Sequence, residues 1–271
     1  MTAEPLSWRP VPAVTPVADW PGWAPMLAVV VLIAAAAIGL AIRLSASPYR
    51  LPLALCSILN KWLAIVWYRL RREGPCTVPR AGPVIVVANH TSSADPLVVI
   101  AAACHRRIPS YMVAKEFSRI PFFHHFTDLI DCIPVRRDGR DVEATKAAIR
   151  HLRAGGALGI FIEGRIPAPG EAAKPKDGPA MLALRTGATV IPAHIRGMKR
   201  SSSVAWSFFQ RHRARVRFGP PVDLSAFATS HDRSTVHLAT QRIHEAIERL
   251  APGEPRPRDD VANRHNPMPP A

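Results

Sequence analysis

Hydrophobic and polar positions change rhythm twice along the 271 residues. From 20 to 42 no residue is charged. Pro25 to Ile42 would rise about 27 Å as a helix at about 1.5 Å per residue, close to the thickness of a bilayer's hydrocarbon core. Trp20 and Trp23 stand at one end, where amphipathic rings favour the headgroup level. The pattern predicts a transmembrane helix over 20–43. Two other readings stay open: a buried helix of a soluble domain, or a signal sequence cleaved near Ser45-Ala46-Ser47. The next stretch, LPLALCSILNKWLAIVWYRLRR, spaces Ser57, Asn60, Lys61, Tyr68, Arg71 and Arg72 near the helical period among Leu, Ile, Val and Trp. It predicts an amphipathic helix over 48–74, lying in the membrane interface or packed on the core that follows.

From about residue 82 the rhythm becomes one of short β-branched runs alternating with helical stretches. PVIVVA (83–88), PSYMVA (109–114), DCIPV (131–135), ALGIFI (157–162), ATVIPAHI (188–195) and ARVRFG (214–219) read as strands. Helical periodicity occupies 95–104, 140–154, 179–186 and 233–250. Continuous apolar strands alternating with helices indicate an α/β domain over 80–250, a largely parallel mixed sheet flanked by helices. No internal repeat is present.

Length and charge narrow the picture. A chain of 271 residues holds one catalytic-size core with appendages. Its 48% hydrophobic content excludes wholesale disorder, and its 20% charged content excludes a many-pass transporter. The net charge of +15 favours a polyanionic partner such as an anionic membrane, a phosphorylated substrate or nucleic acid. Only Arg9 precedes the apolar span, whereas Arg43, Arg50, Lys61, Arg69, Arg71 and Arg72 follow it. The positive-inside rule therefore predicts a cell-membrane anchor with the main domain on the cytoplasmic side. Cys56, Cys76, Cys104 and Cys132 show no CxxC spacing and read as free thiols. Twelve of the 28 prolines fall in residues 1–25 and 251–271, so 1–19 and 251–271 read as flexible tails.

Three strand ends carry candidate chemistry. VVANHTSSADP places His90 at the carboxyl end of the first long strand, where open α/β sheets bind ligands. Asp95 follows in an H-x4-D spacing, with Pro96 in the first turn of a helix. Such a turn folds the carboxylate onto one imidazole nitrogen and leaves the other to take a proton from a substrate hydroxyl. The plainer reading is a helix-capping Asp95 beside a loop histidine. FIEGR brings Glu163, Gly164 and Arg165 to another strand end, before a loop with Lys174 and Lys176. CIPVRR brings Arg136 and Arg137 to a third. Guanidiniums suit bidentate phosphate contacts, and Gly lets the backbone approach closely. The Cys104–Cys132 stretch with His105, His124 and His125 does not match common zinc spacings.

These blocks, in this order from about Val84 to Gly197, resemble the glycerolipid acyltransferase family, the lysophosphatidate acyltransferases and their relatives. The resemblance makes His90 the catalytic base and Asp95 its partner. It implies acceptor contacts at Arg136, Glu163, Gly164 and Arg165, with Pro192 of VIPAHI shaping the acyl-donor side. It also implies the glycerolipid acyltransferase fold behind a two-helix membrane module. The expected reaction moves an acyl group from acyl-CoA or an acyl carrier protein, as co-substrate, to a lysophospholipid hydroxyl. No metal or other cofactor is expected.

The third block departs from the commonest family form, F-P-E-G-T-R-S. Here Arg165 directly follows Gly164, as in relatives acting on other lysophospholipids. The leading acceptor is 1-acylglycerol-3-phosphate, giving phosphatidic acid; the alternative is another lysophospholipid such as lysophosphatidylethanolamine. Three further alternatives remain: a non-catalytic membrane-anchored protein binding lipid or nucleic acid, a family fold that no longer turns over, and a thioester hydrolase. Residues 201–215, with Trp206, Phe208 and Phe209, read equally as a membrane-dipping loop or a packed connection.

Overall fold

The computed structural model describes residues 24–45, 50–103, 105–119, 123–136, 141–168, 174–201, 203–228, 230 and 232–251. The tails expected at 1–19 and 251–271 (Ala251 apart), the rings of Trp20 and Trp23, Cys104 and Arg137 lie outside the described residues. The chain divides into two units, Met1–Arg50 and Leu51–Ala271.

The described part of the first unit is helix α1, Ala24–Ser45. It is about 33 Å long at about 1.5 Å per residue. Pro25–Ile42 within it is exposed throughout and is long and apolar enough to cross a membrane.

The second unit opens with α2 (Leu51–Val66), β1 (Arg71–Glu73), β2 (Val84–Ala88) and α3 (Asp95–Ala103). After them come β3 (Ser110–Ala114), a 3-10 turn at Lys115–Arg119, α4 (Phe123–Leu129) and β4 (Ile133–Val135). The chain continues through α5 (Val142–Arg153), β5 (Ala157–Phe161), α6 (Gly178–Thr186) and β6 (Thr189–Arg196). It closes with α7 (Val204–Phe209), β7 (Arg215–Phe218), a 3-10 turn at Ser225–Phe227 and α8 (Arg233–Glu248).

The strands form one sheet in the order β1-β7-β6-β2-β5-β3-β4. The five strands from β6 to β4 run parallel, and β7 joins β6 antiparallel. This is the largely parallel mixed sheet that the alternation of apolar runs predicts. Side-chain alternation sends Val84, Val86, Ala88, Ile191, Ala193 and Ile195 to one face, under α3. Ile85, Val87, Leu158 and Val190 go to the other face, under α5, α6 and α8. A sheet covered on both faces explains why its central strands read as unbroken apolar runs.

The helix expected over 48–74 is shorter than its pattern suggests. It ends at Val66, and Arg71–Glu73 pair as a parallel strand with Arg215–Arg217. The break lies at Arg69, whose φ of 47° is left-handed, while Leu70 N–H donates back to Ala64 O at 2.8 Å. Tertiary demands override the helical spacing there. Tyr68 is buried, and the Glu73 carboxylate gathers Arg196, Arg215 and Arg217 around it. Of the two settings weighed for α2, packing on the core holds for one face: Ala54, Asn60 and Ala64 are buried, and Asn60 Nδ2 donates to Leu97 O at 3.0 Å. Its other face is exposed and apolar.

Candidate active site

The VVANHTSSADP turn is built by backbone groups that local sequence supplies. Strand β2 ends at Ala88, and Asn89 extends the sheet with its side chain. Its Oδ1 accepts from Ile195 N–H at 2.7 Å and its Nδ2 donates to Ile195 O at 2.9 Å. Asp95 then turns back from the first residue of α3. Its Oδ2 accepts from Thr91 N–H at 2.6 Å, Ser92 N–H at 2.8 Å and His90 Nδ1 at 3.0 Å. Because an ionised carboxylate only accepts, the imidazole proton belongs on Nδ1. Nε2 is thereby the lone-pair nitrogen, suited to receive a proton. Asp95 has no exposed side-chain surface, whereas 15% of the His90 side chain is exposed.

A second support comes from across the sheet. The Phe161 ring, one residue beyond Ile160 at the end of β5, stacks on the His90 ring at 3.9 Å with an interplanar angle of 5°. Tyr111 of β3 stacks behind Phe161 at 5.8 Å. Gly159 makes room for that tyrosine, since a Cβ there would lie 2.5 Å from the Tyr111 ring. The imidazole is thus held by Asp95 through Nδ1 and by Phe161 across its face.

Strand order brings the other candidate residues to the same edge at graded distances. Glu163, Gly164 and Arg165 follow β5, the immediate neighbour of β2. Gly164 adopts a φ of 69°, which suits glycine. Arg165 is exposed. Glu163 is buried, and its carboxylate receives the backbone N–H groups of Glu163 itself and of His90. Burial raises its pKa above the ordinary carboxyl range, opposed by those N–H groups and by the charge of His90. One of its oxygens, Oε2, has no hydrogen-bond partner. Glu163 therefore sits beneath the His90 loop, whereas Arg165 faces solvent.

Arg136 follows β4, the far edge strand, three strand spacings from β2, or about 14 Å at about 4.8 Å each. Its guanidinium approaches Asp141 Oδ2 at 3.7 Å, and its backbone N–H donates to the same oxygen at 2.8 Å. Asp141 also caps α5 through Ala144 N–H. Hydrogen bonds from Ala144 and Arg136 N–H hold that carboxyl below its usual range. Pro192 lies inside β6, opposite Val87, on the face away from α3. It is buried against Gly219, where a Cβ would come 2.9 Å from the Pro192 ring. The structure therefore brings together His90, Asp95 and Glu163, sets Arg165 beside them, and keeps Arg136 and Pro192 apart.

Sequence reasoning missed Phe161, Asn89 and Ser201. Phe161 precedes the E-G-R block by two positions, but only strand order shows that its ring meets His90. Ser201 O accepts from Ser93 N–H at 3.0 Å, and Ser201 N–H donates to Thr91 O at 3.2 Å. Arg200 donates to Pro167 O at 2.6 Å. The segment after β6 thus ties the His90 turn to the loop after Arg165.

Residues 69–196 match the model of the Acyltransferase family, and they contain His90, Asp95, Arg136, Glu163, Gly164, Arg165 and Pro192. A "1-acyl-sn-glycerol-3-phosphate acyltransferase" from Borreliella burgdorferi is 33% identical over 141 residues, covering 51% of this chain and 54% of that protein. Over residues 69–196 the chain carries an Acyltransferase-family domain. A "Probable 1-acyl-sn-glycerol-3-phosphate acyltransferase" from Mycoplasma genitalium is 28% identical over 144 residues, covering 52% of this chain and 53% of that protein. The matched region therefore spans about half the length of these curated family members. The fold of this chain is also similar to the crystal structure of the 1-acyl-sn-glycerophosphate (LPA) acyltransferase PlsC from Thermotoga maritima. That likeness has a TM-score of 0.58 at 20% identity and covers 84% of this chain and 94% of PlsC.

Proposed function

We propose that the protein is an O-acyltransferase moving a fatty acyl group from a thioester, acyl-CoA or acyl carrier protein, to the free glycerol hydroxyl of 1-acylglycerol-3-phosphate. The observation that carries the reading is the His90–Asp95 pair, with Nε2 as its lone-pair nitrogen, at the carboxyl edge of a family domain. His90 Nε2 takes the hydroxyl proton as the oxygen attacks the thioester carbonyl. The tetrahedral intermediate then collapses, the C–S bond breaks, and the imidazolium returns the proton to the departing thiolate. Asp95 stabilises the imidazolium through Nδ1. A thioester is already activated, so one base suffices and no metal or cofactor has a step.

Arg165, exposed in the turn after β5, the strand next to β2, serves as the phosphate contact nearer the base. Arg136 serves as an outer contact. Gly164 lets the backbone turn there, Glu163 positions the His90 turn from below, and Pro192 acts on the donor side only through the β6 backbone. On this reading helix α1 anchors the chain in the cell membrane, and the excess of cations after it supports a catalytic domain on the cytoplasmic side.

The testing experiment is an acyl-transfer assay with acyl-CoA and then acyl carrier protein, run on lysophosphatidate, lysophosphatidylethanolamine and lysophosphatidylglycerol. Diacyl product with preference for lysophosphatidate, lost in His90→Ala, is the expected result. Preference for a head-grouped acceptor would move the protein to the remodelling reading that its E-G-R-I block suggests. Free fatty acid as the main product, or full activity in His90→Ala, would overturn the proposal.

A further inference from the structure

Helix α7 has an inner and an outer side of opposite character. Ser207 is buried and Phe208 packs on the core under the sheet. Trp206 and Phe209 point outward, 62% and 74% exposed. Two large aromatics on so short a helix are costly to leave in water, because each ring withholds a large apolar area from burial. Ser203 caps the helix by accepting from Trp206 N–H, so its start is a formed turn.

Charge identifies the partner. From 199 to 222 the chain holds six cations and no carboxylate. Lys199 and Arg200 precede the helix, Arg211 and Arg213 follow it, and all four are exposed. A protein groove would offer apolar surface, but it would not by itself call for cations on both flanks. An anionic bilayer supplies both layers: acyl chains for the rings and phosphates for the cations. The location agrees. The Arg211 guanidinium lies 4.8 Å over the Trp67 ring, and Tyr68 OH donates to Phe208 O at 3.4 Å, so α7 adjoins the end of α2. The outward face of α2 carries the exposed apolar residues Leu55, Leu59, Trp62 and Val66.

We propose that α7 is a lipid-inserting element, with Trp206 and Phe209 entering the headgroup–acyl boundary of an anionic bilayer and the four flanking cations at the phosphate level. Because Ser201 is bridged to Thr91 and Ser93, the depth of α7 fixes the height of the His90 turn above the lipid. The contact itself does not rest on the proposed reaction; its bearing on turnover does.

The test uses the full chain reconstituted in phosphatidylglycerol-containing vesicles whose acyl chains are brominated. The quenching of tryptophan fluorescence assigned to Trp206 is the difference between the wild type and Trp206→Phe. That difference should be present, should shrink in purely zwitterionic vesicles, and should return when Phe209→Trp is added to Trp206→Phe. No difference would overturn the proposal. So would shielding of Trp206 from iodide without quenching by brominated chains, since a second copy or another protein would then cover it. Equal quenching in zwitterionic vesicles would overturn the role given to the cations. None of these readings requires an active site.

Discussion

Replacing Asp95 with Asn removes a charge while leaving a shape, and the structure fixes how the new side chain sits. The Oδ2 position receives two backbone N–H groups, at 2.6 and 2.8 Å, as well as His90 Nδ1. An amide NH2 there would face donors on every side, so the Asn oxygen takes that place. His90 consequently keeps its proton on Nδ1, and the variant has lost only the negative charge facing the imidazolium. At 3.0 Å, with an effective dielectric constant of about 20, that charge pair is worth about 5 kcal/mol. The retained neutral hydrogen bond returns about 1 kcal/mol. The remaining 4 kcal/mol or so corresponds to a loss of roughly a thousandfold in turnover, at about 1.4 kcal/mol per factor of ten.

The assay follows thiol release from acyl-CoA with saturating lysophosphatidate, alongside thermal melting of each protein. Asp95→Asn should melt near the wild type. Asp95→Ala should lose comparable activity but also stability, by about 1–3 kcal/mol for each N–H left unpaired, because Ser92 and Asp95 are fully buried. A folded Asp95→Asn with activity within tenfold of the wild type would refute the reasoning, since the carboxylate charge would then do nothing for the reaction.

Arg165→Ala should raise KM for the lysophospholipid acceptor several-fold and leave KM for the thioester unchanged, with Arg136→Ala the milder of the two because β4 lies three strands from β2. Comparable effects of both variants on both substrates, in steady-state kinetics, would show that neither cation is assigned correctly. Glu163→Gln tests the buried carboxyl through stability. With its pKa raised by burial, folded Glu163 holds its proton to higher pH than the unfolded chain does. Its contribution is then most favourable below the ordinary Glu range and declines as pH rises through the folded value. Urea melts across that window should show wild-type stability falling relative to Glu163→Gln as pH rises, and a pH-independent difference would sink the idea.

Much of the fold was legible because its signals are local. Apolar runs such as VIVVA and ALGIF announced buried strands, and the H-x4-D spacing announced a turn that closes on itself within six residues. What escaped required knowing which strands are neighbours. Phe161 reads as one more strand residue until β5 is placed beside β2, and Gly159 as a plain small residue until Tyr111 lies across it. The helical pattern through Arg72 failed for the same reason. Residues 71–73 keep a helical rhythm, but pairing with Arg215–Arg217 and the gathering of three guanidiniums around Glu73 decide their conformation. Glu163 and Pro192 stand in recognisable blocks, yet only the structure shows that one lies under the His90 turn and the other on the opposite face.

The two carboxyls beside His90 also bear on how the proposed anionic acceptor and donor would share one edge. Asp95 concentrates three donors on a single oxygen. Glu163 keeps one oxygen without a partner, and burial shifts it toward its neutral form. Two ionised carboxylates would repel a phosphate and oppose the attack of a hydroxyl oxygen gaining negative charge. Burial disfavours charge on Glu163 and so favours an arrangement in which the imidazolium balances Asp95. On the proposed reaction, the burial that raises the pKa of Glu163 therefore eases the approach of an acceptor phosphate.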